Sequence, residues 1–399
     1  MRRSRSIALL VFAIGIAALI ITLTLRTHSD PRVERLIGWH THYDRHQSAI
    51  EREVVEAELA SYGPELIPAL RQELDGGSLW RTKFAQFIEA KSPAFIAESI
   101  GQKHFDSERR RELAARCLGR IGPRASTAIP DLKRLVGSGG QLGLTAEVAL
   151  AMIARQDPMV QSNAIAALAS TSQPRRSFFM RYADEIWPGR TDLLVSGLKD
   201  ENDTVRANAA RLVGRVGASA SNATPLLVSM LADPSVVVRP RAAYALGMVA
   251  PDYAETAVAS MVDQQRTNVL WTGDEAFVLY QTLGPKAKAA IPALEAELSD
   301  TNVAMSHGDA AAALWRITGT LSPAMTDRLN TGLRIGVQRM QIRCLRTVKE
   351  IGPPAAATIP ELRRMTNNPL ILIRRFATEA LESVERTGNS SQTNHLNAP

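Results

Sequence analysis

Aromatic side chains make up only 5% of this 399-residue chain. Strands favour aromatic and β-branched residues, so this scarcity counts against a sheet protein. The apolar 45% is carried mainly by Ala, Leu, Ile and Val, a balance that leans towards helix. Cysteine is scarcer still. Cys117 and Cys344 stand 227 residues apart and form no CxxC pair, haem-attachment motif or zinc spacing. In an elongated fold they would not meet, and both are expected to be small buried apolar side chains. The seven histidines include no HExxH, there is no Gly-x-Ser-x-Gly, and no Gly-rich loop is present to cradle phosphate. A hydrolase needs a nucleophile beside a base. With none in evidence, the sequence predicts a protein that is not an enzyme, without cofactor or resident metal.

Acidic residues are missing from the amino terminus. The formal charge of +7 owes much to Arg2, Arg3, Arg5 and Arg26, since no acid precedes Asp30. The remainder holds 43 basic and 40 acidic side chains, too near neutrality for a general nucleic-acid footprint. Ile7 to Leu25, IALLVFAIGIAALIITLTL, is free of charge. As a helix it would reach about 28 Å, close to the thickness of a hydrocarbon core. It is long for a cleaved signal, its end lacks an A-x-A site, and no cysteine follows to take a lipid. The expectation is therefore an uncleaved transmembrane signal anchor at 7–25 behind a basic cytoplasmic segment at 1–6. The positive-inside rule then puts the rest of the chain across the membrane, on the periplasmic side of a bacterial cell.

The next stretch contains WHTHYDRHQ, with His40, His42, Asp44 and His46. His42 and His46 share a helical face, a spacing able to hold a metal ion, but no third ligand follows at a matching distance. A juxtamembrane helix at about 32–60, with Trp39 and Tyr43 near the interface, accounts for it.

Beyond residue 60 the chain repeats itself. IGPRASTAIPDLKRL at 121–135 returns as IGPPAAATIPELRRM at 351–365, and the frame recurs in GPKAKAAIPAL from Gly284. Looser copies are GASASNATPLL from Gly217 and GPELIPAL from Gly63. Gly217, Ala250, Gly284, Gly319 and Gly352 are spaced by 33, 34, 35 and 33 residues, a period that fits one helix–turn–helix unit. Before each marker lies an Ala-rich amphipathic stretch. In RRELAARCLGRIG, Leu113, Cys117, Leu118 and Ile121 fall on one helical face. Gly ends that helix in the left-handed conformation, and the following Pro prevents its continuation. At Ile129-Pro130 a second helix starts, because Pro suits the first helical position, and Leu132 and Leu135 should point inward.

Several units also carry L-x-D, V-R, A-A and L-G in order, as in LKDENDTVRANAARLVGRVG at 198–217 and LADPSVVVRPRAAYALGMVA at 231–250. These residues resemble the HEAT-repeat family, particularly the bacterial HEAT-like repeats also found in phycobilisome bilin lyases. The resemblance covers most of residues 55–386. It implies an all-α fold, a right-handed α-α superhelix of the HEAT/armadillo kind, over 61–386. It also implies a ladder of acid–arginine contacts between stacked repeats at Asp200–Arg206 and Asp233–Arg239, with Asn368 replacing the Asp before Arg374. At 298–314 Ser306 stands at the arginine position, so the ladder should be interrupted there. Some HEAT-like proteins are iron hydroxylases using His-Glu pairs; no His-Glu dipeptide occurs here. The bilin-lyase branch sits poorly with the expected anchor. The tail at 387–399, with nothing to bury, is expected to be disordered.

Three places compete as binding surfaces. Arg339, Arg343 and Arg346 make a basic stripe on one helix, and Arg109, Arg110 and Arg111 a basic run; both are expected to be solvated outer faces. The third is TSQPRRSFFMRYADEIWPGR at 171–190, which interrupts the repeat rhythm. Its Arg175, Arg176, Phe178, Phe179, Arg181, Tyr182 and Trp187 are the residue types of binding hot spots. A divergent helix with Phe178, Tyr182 and Ile186 filling the core would produce the same spacing. The sequence thus predicts a membrane-anchored, non-enzymatic HEAT-repeat scaffold that binds a protein partner and no nucleic acid. The alternatives are an enzyme or enzyme accessory of the HEAT-like lyase or hydroxylase kind, or a dock for anionic lipid or cell-wall polymer.

Overall fold

The computed structural model describes residues 31–33, 63–75, 94–267, 273–300, 307–335, 337–368 and 370–386. The apolar run at 7–25, the histidine cluster, nearly all of the juxtamembrane segment and the tail lie outside these residues. Every regular element described is a helix. Among the described residues no helix is long and apolar enough to cross a membrane. The chain divides into two compact units, one ending at Pro188 and the other beginning at Gly189, whereas the repeat rhythm suggests a single array.

In the first unit α1 (Ile67–Leu74) precedes the long α2 (Ala94–Ile121), α3 (Ile129–Val136), α4 (Gly140–Ile153), α5 (Pro158–Leu168), α6 (Gln173–Arg181) and the single turn α7 (Ala183–Ile186). The second unit holds α8 (Thr191–Gly197), α9 (Asp203–Val216), α10 (Thr224–Met230), α11 (Val238–Val249), α12 (Ala254–Thr267) and α13 (Gly273–Leu283). It continues through α14 (Ile291–Ser299), α15 (His307–Thr318), α16 (Pro323–Arg334), α17 (Gln338–Ile351), α18 (Ile359–Met365) and α19 (Ile371–Glu385).

Within the second unit the first helices of successive pairs stack directly, α9 on α11, α11 on α13, and so on to α17 on α19. Each also packs on the second helix of the pair before it, α10 on α11 and α18 on α19 for example. Close stacking depends on the small residue of the L-G frame. A Cβ at Gly214 would strike the Tyr244 ring and sit 3.0 Å from the Cα of Ala245; one at Gly119 would sit 3.0 Å from the Cα of Ala149.

The markers behave as punctuation. Gly122, Gly217, Gly284 and Gly352 have φ of 70°, 62°, 53° and 69°, where other residues are strained. A short 3-10 segment follows each glycine and leads into the second helix, with no side-chain cap but with Pro at its start. Leu132 and Leu135 face the core as expected. A further frame residue emerges three positions after each glycine. Ala125, Ala220, Ala287 and Ala355 are fully buried, with φ/ψ near the bridge region that only a tight chain reversal requires. A larger side chain there would have no room.

The ladder is present in modified form. Arg206 donates Nε and Nη2 to the two carboxylate oxygens of Asp233, both at 2.9 Å, linking one pair of helices to the next. Its Nη1 also reaches back 2.9 Å to the carbonyl of Asp200. Arg239 reaches the carbonyl of Asp233 at 3.5 Å, but across the repeat it meets the amide of Gln264 at 3.3 Å rather than an acid. Arg374 repeats the backward contact with Asn368 O at 2.9 Å. At the expected interruption the neighbouring residue steps in: the buried His307 places Nε2 2.9 Å from the carbonyl of Asp300.

Candidate functional site

Residues 171–190 do not interrupt the architecture. Arg176 Nη1 donates to the carbonyl of Ser170 at 2.7 Å, six residues upstream, as Arg206 does to Asp200. The Ser170 hydroxyl accepts the N–H of Ser172 at 3.2 Å, the place taken by the Asp200 carboxylate towards Asn202 N–H at 2.8 Å. This segment is therefore a repeat unit in which Ser replaces Asp and the glycine–proline marker is absent.

The expectation that its aromatics form an exposed hot spot requires correction. Phe178, Phe179, Tyr182 and Trp187 are 5%, 1%, 3% and 8% exposed. Positions 178, 182 and 186 lie on the core-facing side of α6 and α7, and burying them stabilises more than displaying them would. Phe178 and Tyr182 rings stand 5.3 Å apart and tilted at 55°. Trp187 donates Nε1 to the side-chain oxygen of Gln161 at 2.8 Å, so its polar edge is satisfied inside the fold. The arginines divide among different tasks. Arg175 holds Glu147 at 3.0 Å with its guanidinium 5.8 Å from the Phe179 ring centre, Arg176 is buried, and Arg181 is half-buried.

Behind these aromatics a small cleft opens between α2, α4, α6 and α7, lined by Arg116, Arg120, Thr145, Phe178, Tyr182 and Glu185 among others. Arg116 donates to Glu112 at 2.7 Å, and both side chains are at least nine-tenths buried. Burial pushes the Arg116 guanidinium below its ordinary value, and the nearby charges of Arg120 and Arg181 act in the same direction. Burial likewise lifts the Glu112 carboxyl, against the pull of Arg109. Arg120 Nε stands 3.9 Å from Glu185, too far for a direct hydrogen bond. The cleft offers only about 10 Å³ of water-accessible space, far below the about 300–1,000 Å³ of pockets for organic ligands. The Arg116–Glu112 pair lies within α2, and the Arg120–Glu185 approach spans α2 and α7. Neighbouring Cys117 is fully buried with its thiol pushed up to about 12 by desolvation, so it is not a nucleophile at neutral pH.

The two basic runs also resolve into clamps. Arg110 holds Glu73 through two bonds of 2.9 and 3.1 Å, and Arg111 caps the carbonyl of Leu74 at 2.9 Å, tying α2 to α1. The stripe on α17 is not a uniform solvated face. Arg343 is 5% exposed and ion-paired with Asp309 of α15, while Arg346 lies over the ring of Phe376 at 5.8 Å. Glu350, four residues beyond Arg346 on the same helix, pairs with Arg316 of α15. Among the described residues no group of three or more His, Cys, Asp or Glu side chains is placed to hold a metal ion.

The two nearly identical stretches noted in the sequence share one further device. Asp131 accepts from Arg71 at 2.6 Å and from Arg134 on its own helix. Glu361 likewise accepts from Arg334 at 2.7 Å and Arg364 at 2.9 Å. The acid after each Ile-Pro thus joins consecutive second helices. The hydrogen bond from Arg334, with help from Arg364, holds the Glu361 carboxyl below its usual range.

Stacked helix pairs with this ladder and these markers define an all-helical repeat protein. Residues 191–269, helices α8 to α12, match a family model described as HEAT repeats. Among solved structures the chain is similar to one from the complex of CpcE and CpcF of phycocyanin lyase from Nostoc sp. PCC7120. The identity is 21% and the TM-score 0.37, over 55% of this chain and 93% of that one. An engineered protein is similar at 19% identity and TM-score 0.32, over 90% of this chain and 100% of that one. These scores bear on neither activity nor partner. No curated protein matches.

Proposed function

We propose that this chain is a non-enzymatic HEAT-like scaffold, held in a bacterial cell membrane by the apolar run at 7–25, that binds a protein partner outside the cytoplasm. The observation that carries the reading is the use made of its polar side chains. Arg206–Asp233, Arg71–Asp131 and Arg334–Glu361 join one repeat to the next rather than converging on a reaction centre. Stacked repeats of this kind present broad side-chain surfaces suited to holding another protein. The anchor rests on the uncharged length of 7–25 and the arginines before it.

Cross-linking of the full chain in its native membrane, followed by identification of the captured protein, tests the scaffold. A chain that captures no protein while turning over a small molecule would overturn it. Protease added outside spheroplasts should reach the repeats; protection from it would sink the proposed topology.

A further inference from the structure

The charge of this chain is not evenly spread. Residues 307–386 carry 12 basic and 7 acidic side chains, against 31 and 33 over residues 27–306. Part of the surplus gathers on one side of α15, α17 and α19. There Arg316 pairs with Glu350, while Glu379 is shared by Lys349 at 2.8 Å and Arg375 at 3.7 Å. Arg346 and Arg375 both approach the ring of Phe376, at 5.8 and 5.2 Å from its centre. Four cations thus surround two carboxylates, and the contacts make the patch continuous across three stacked helices. Arg316, Lys349 and Arg375 expose about half of their side chains, at 53%, 50% and 53%.

The geometry points to this patch as the docking surface for a net-acidic protein segment of mixed sequence. The inference rests on the protein-binding reading above and names the face and the partner's chemistry. Arginine forks match carboxylates with two parallel hydrogen bonds, which favours Glu and Asp side chains as counterparts. Glu350 and Glu379, set among the cations, would repel a uniformly anionic surface such as a lipid headgroup layer or a nucleic-acid backbone. A protein segment with scattered basic residues meets both signs.

The test uses the full chain and a synthetic fluorescent peptide rich in Glu with a few interspersed Lys. Binding should weaken as salt rises, and Arg346→Glu with Arg375→Glu should lower affinity about tenfold. Since reversal places carboxylates beside the Phe376 ring, Arg346→Gln with Arg375→Gln serves as the milder pair, with an expected loss of about threefold. Glu350→Gln removes an interleaved acid and should tighten the peptide about twofold. Preferential co-sedimentation with phosphatidylglycerol over phosphatidylcholine vesicles, lost in the same variants while the peptide is ignored, would assign the patch to lipid and overturn the proposal. Binding to neither probe would overturn it as well. A photo-cross-linker at exposed Thr378, beside the patch, and another at exposed Met159 of the first unit separate the two readings. An adduct from Thr378 to an identified acidic segment, abolished by the Arg346→Glu and Arg375→Glu changes, supports the patch. Adducts from Met159 alone leave the scaffold standing and remove the patch; adducts from neither remove both.

Discussion

From Ser170 to Trp187 an arginine reaches back to a carbonyl six residues upstream, and from Asp200 to Gly217 another does the same. The two regions differ in what surrounds that contact. In the second, Arg206 also grips a carboxylate of the next repeat and the helix ends on a glycine at φ 62°. In the first, Ser170 stands where the second region has Asp200, the marker glycine is absent, and four large aromatics fill the interior. The comparison shows that the latch from arginine to upstream carbonyl is the more persistent element of the repeat, and that the marker is one of several ways to turn the chain. Where the marker is missing, aromatic burial fixes the helices.

That contrast can be broken by substitution. Phe179→Ala should cost the most, about 3–5 kcal/mol, by emptying a fully buried site in the first region. Thermal denaturation followed by circular dichroism would show it, and an unchanged melting temperature would mean that the ring is not core. Arg206→Ala should cost about 3 kcal/mol, because Asp233 is left buried without its partner. Arg239→Ala, whose cross-repeat partner is the neutral Gln264, should cost only about 1 kcal/mol when the two variants are compared by urea titration; equal losses would deny the carboxylate any special part. Gly352→Ala, at φ 69° with no backbone clash, should cost about 1 kcal/mol from conformation alone.

The smallest effect concerns pH. Hydrogen bonding to Arg334 lowers the Glu361 carboxyl in the folded state, so its contribution is present above the unfolded value and lost as pH falls through the folded one. Glu361→Gln should therefore lower the melting temperature slightly at neutral pH. The difference from the parent should begin to shrink as pH falls past about 4.3, the ordinary glutamate value, and close below the lowered folded value. A gap that widened in acid would contradict the assignment.

Much of the fold can be read directly from the residues. The left-handed glycines, the proline starts at Ile129-Pro130 and Ile359-Pro360, and the inward Leu132 and Leu135 follow from backbone sterics and helical period, which are local. The buried alanines at 125, 220, 287 and 355 left a signal in the text, a small residue always three after the glycine, easily lost among so many alanines. Less was legible of the candidate site. Phe178 and Tyr182 have a spacing that serves a core and a surface equally, and only neighbouring helices settle which side is covered. Arg339, Arg343 and Arg346 likewise share a stripe in sequence, yet Arg343 is buried against Asp309 while Arg346 lies over Phe376.

By itself, then, the sequence determined where helices stop, where they start and which face of each is apolar, because glycine and proline act through their own backbone and apolar period through a single helix. Tertiary structure alone decided which charges meet. An arginine has several acids within reach of its flexible stem, and that Arg316 meets Glu350 of α17 while Arg346 lies over Phe376 of α19 depends on how the helices stack. It also showed that IPDLKRL and IPELRRM, which end the two similar stretches, place an acid where consecutive second helices can share it, a relation between distant residues that local pattern does not contain.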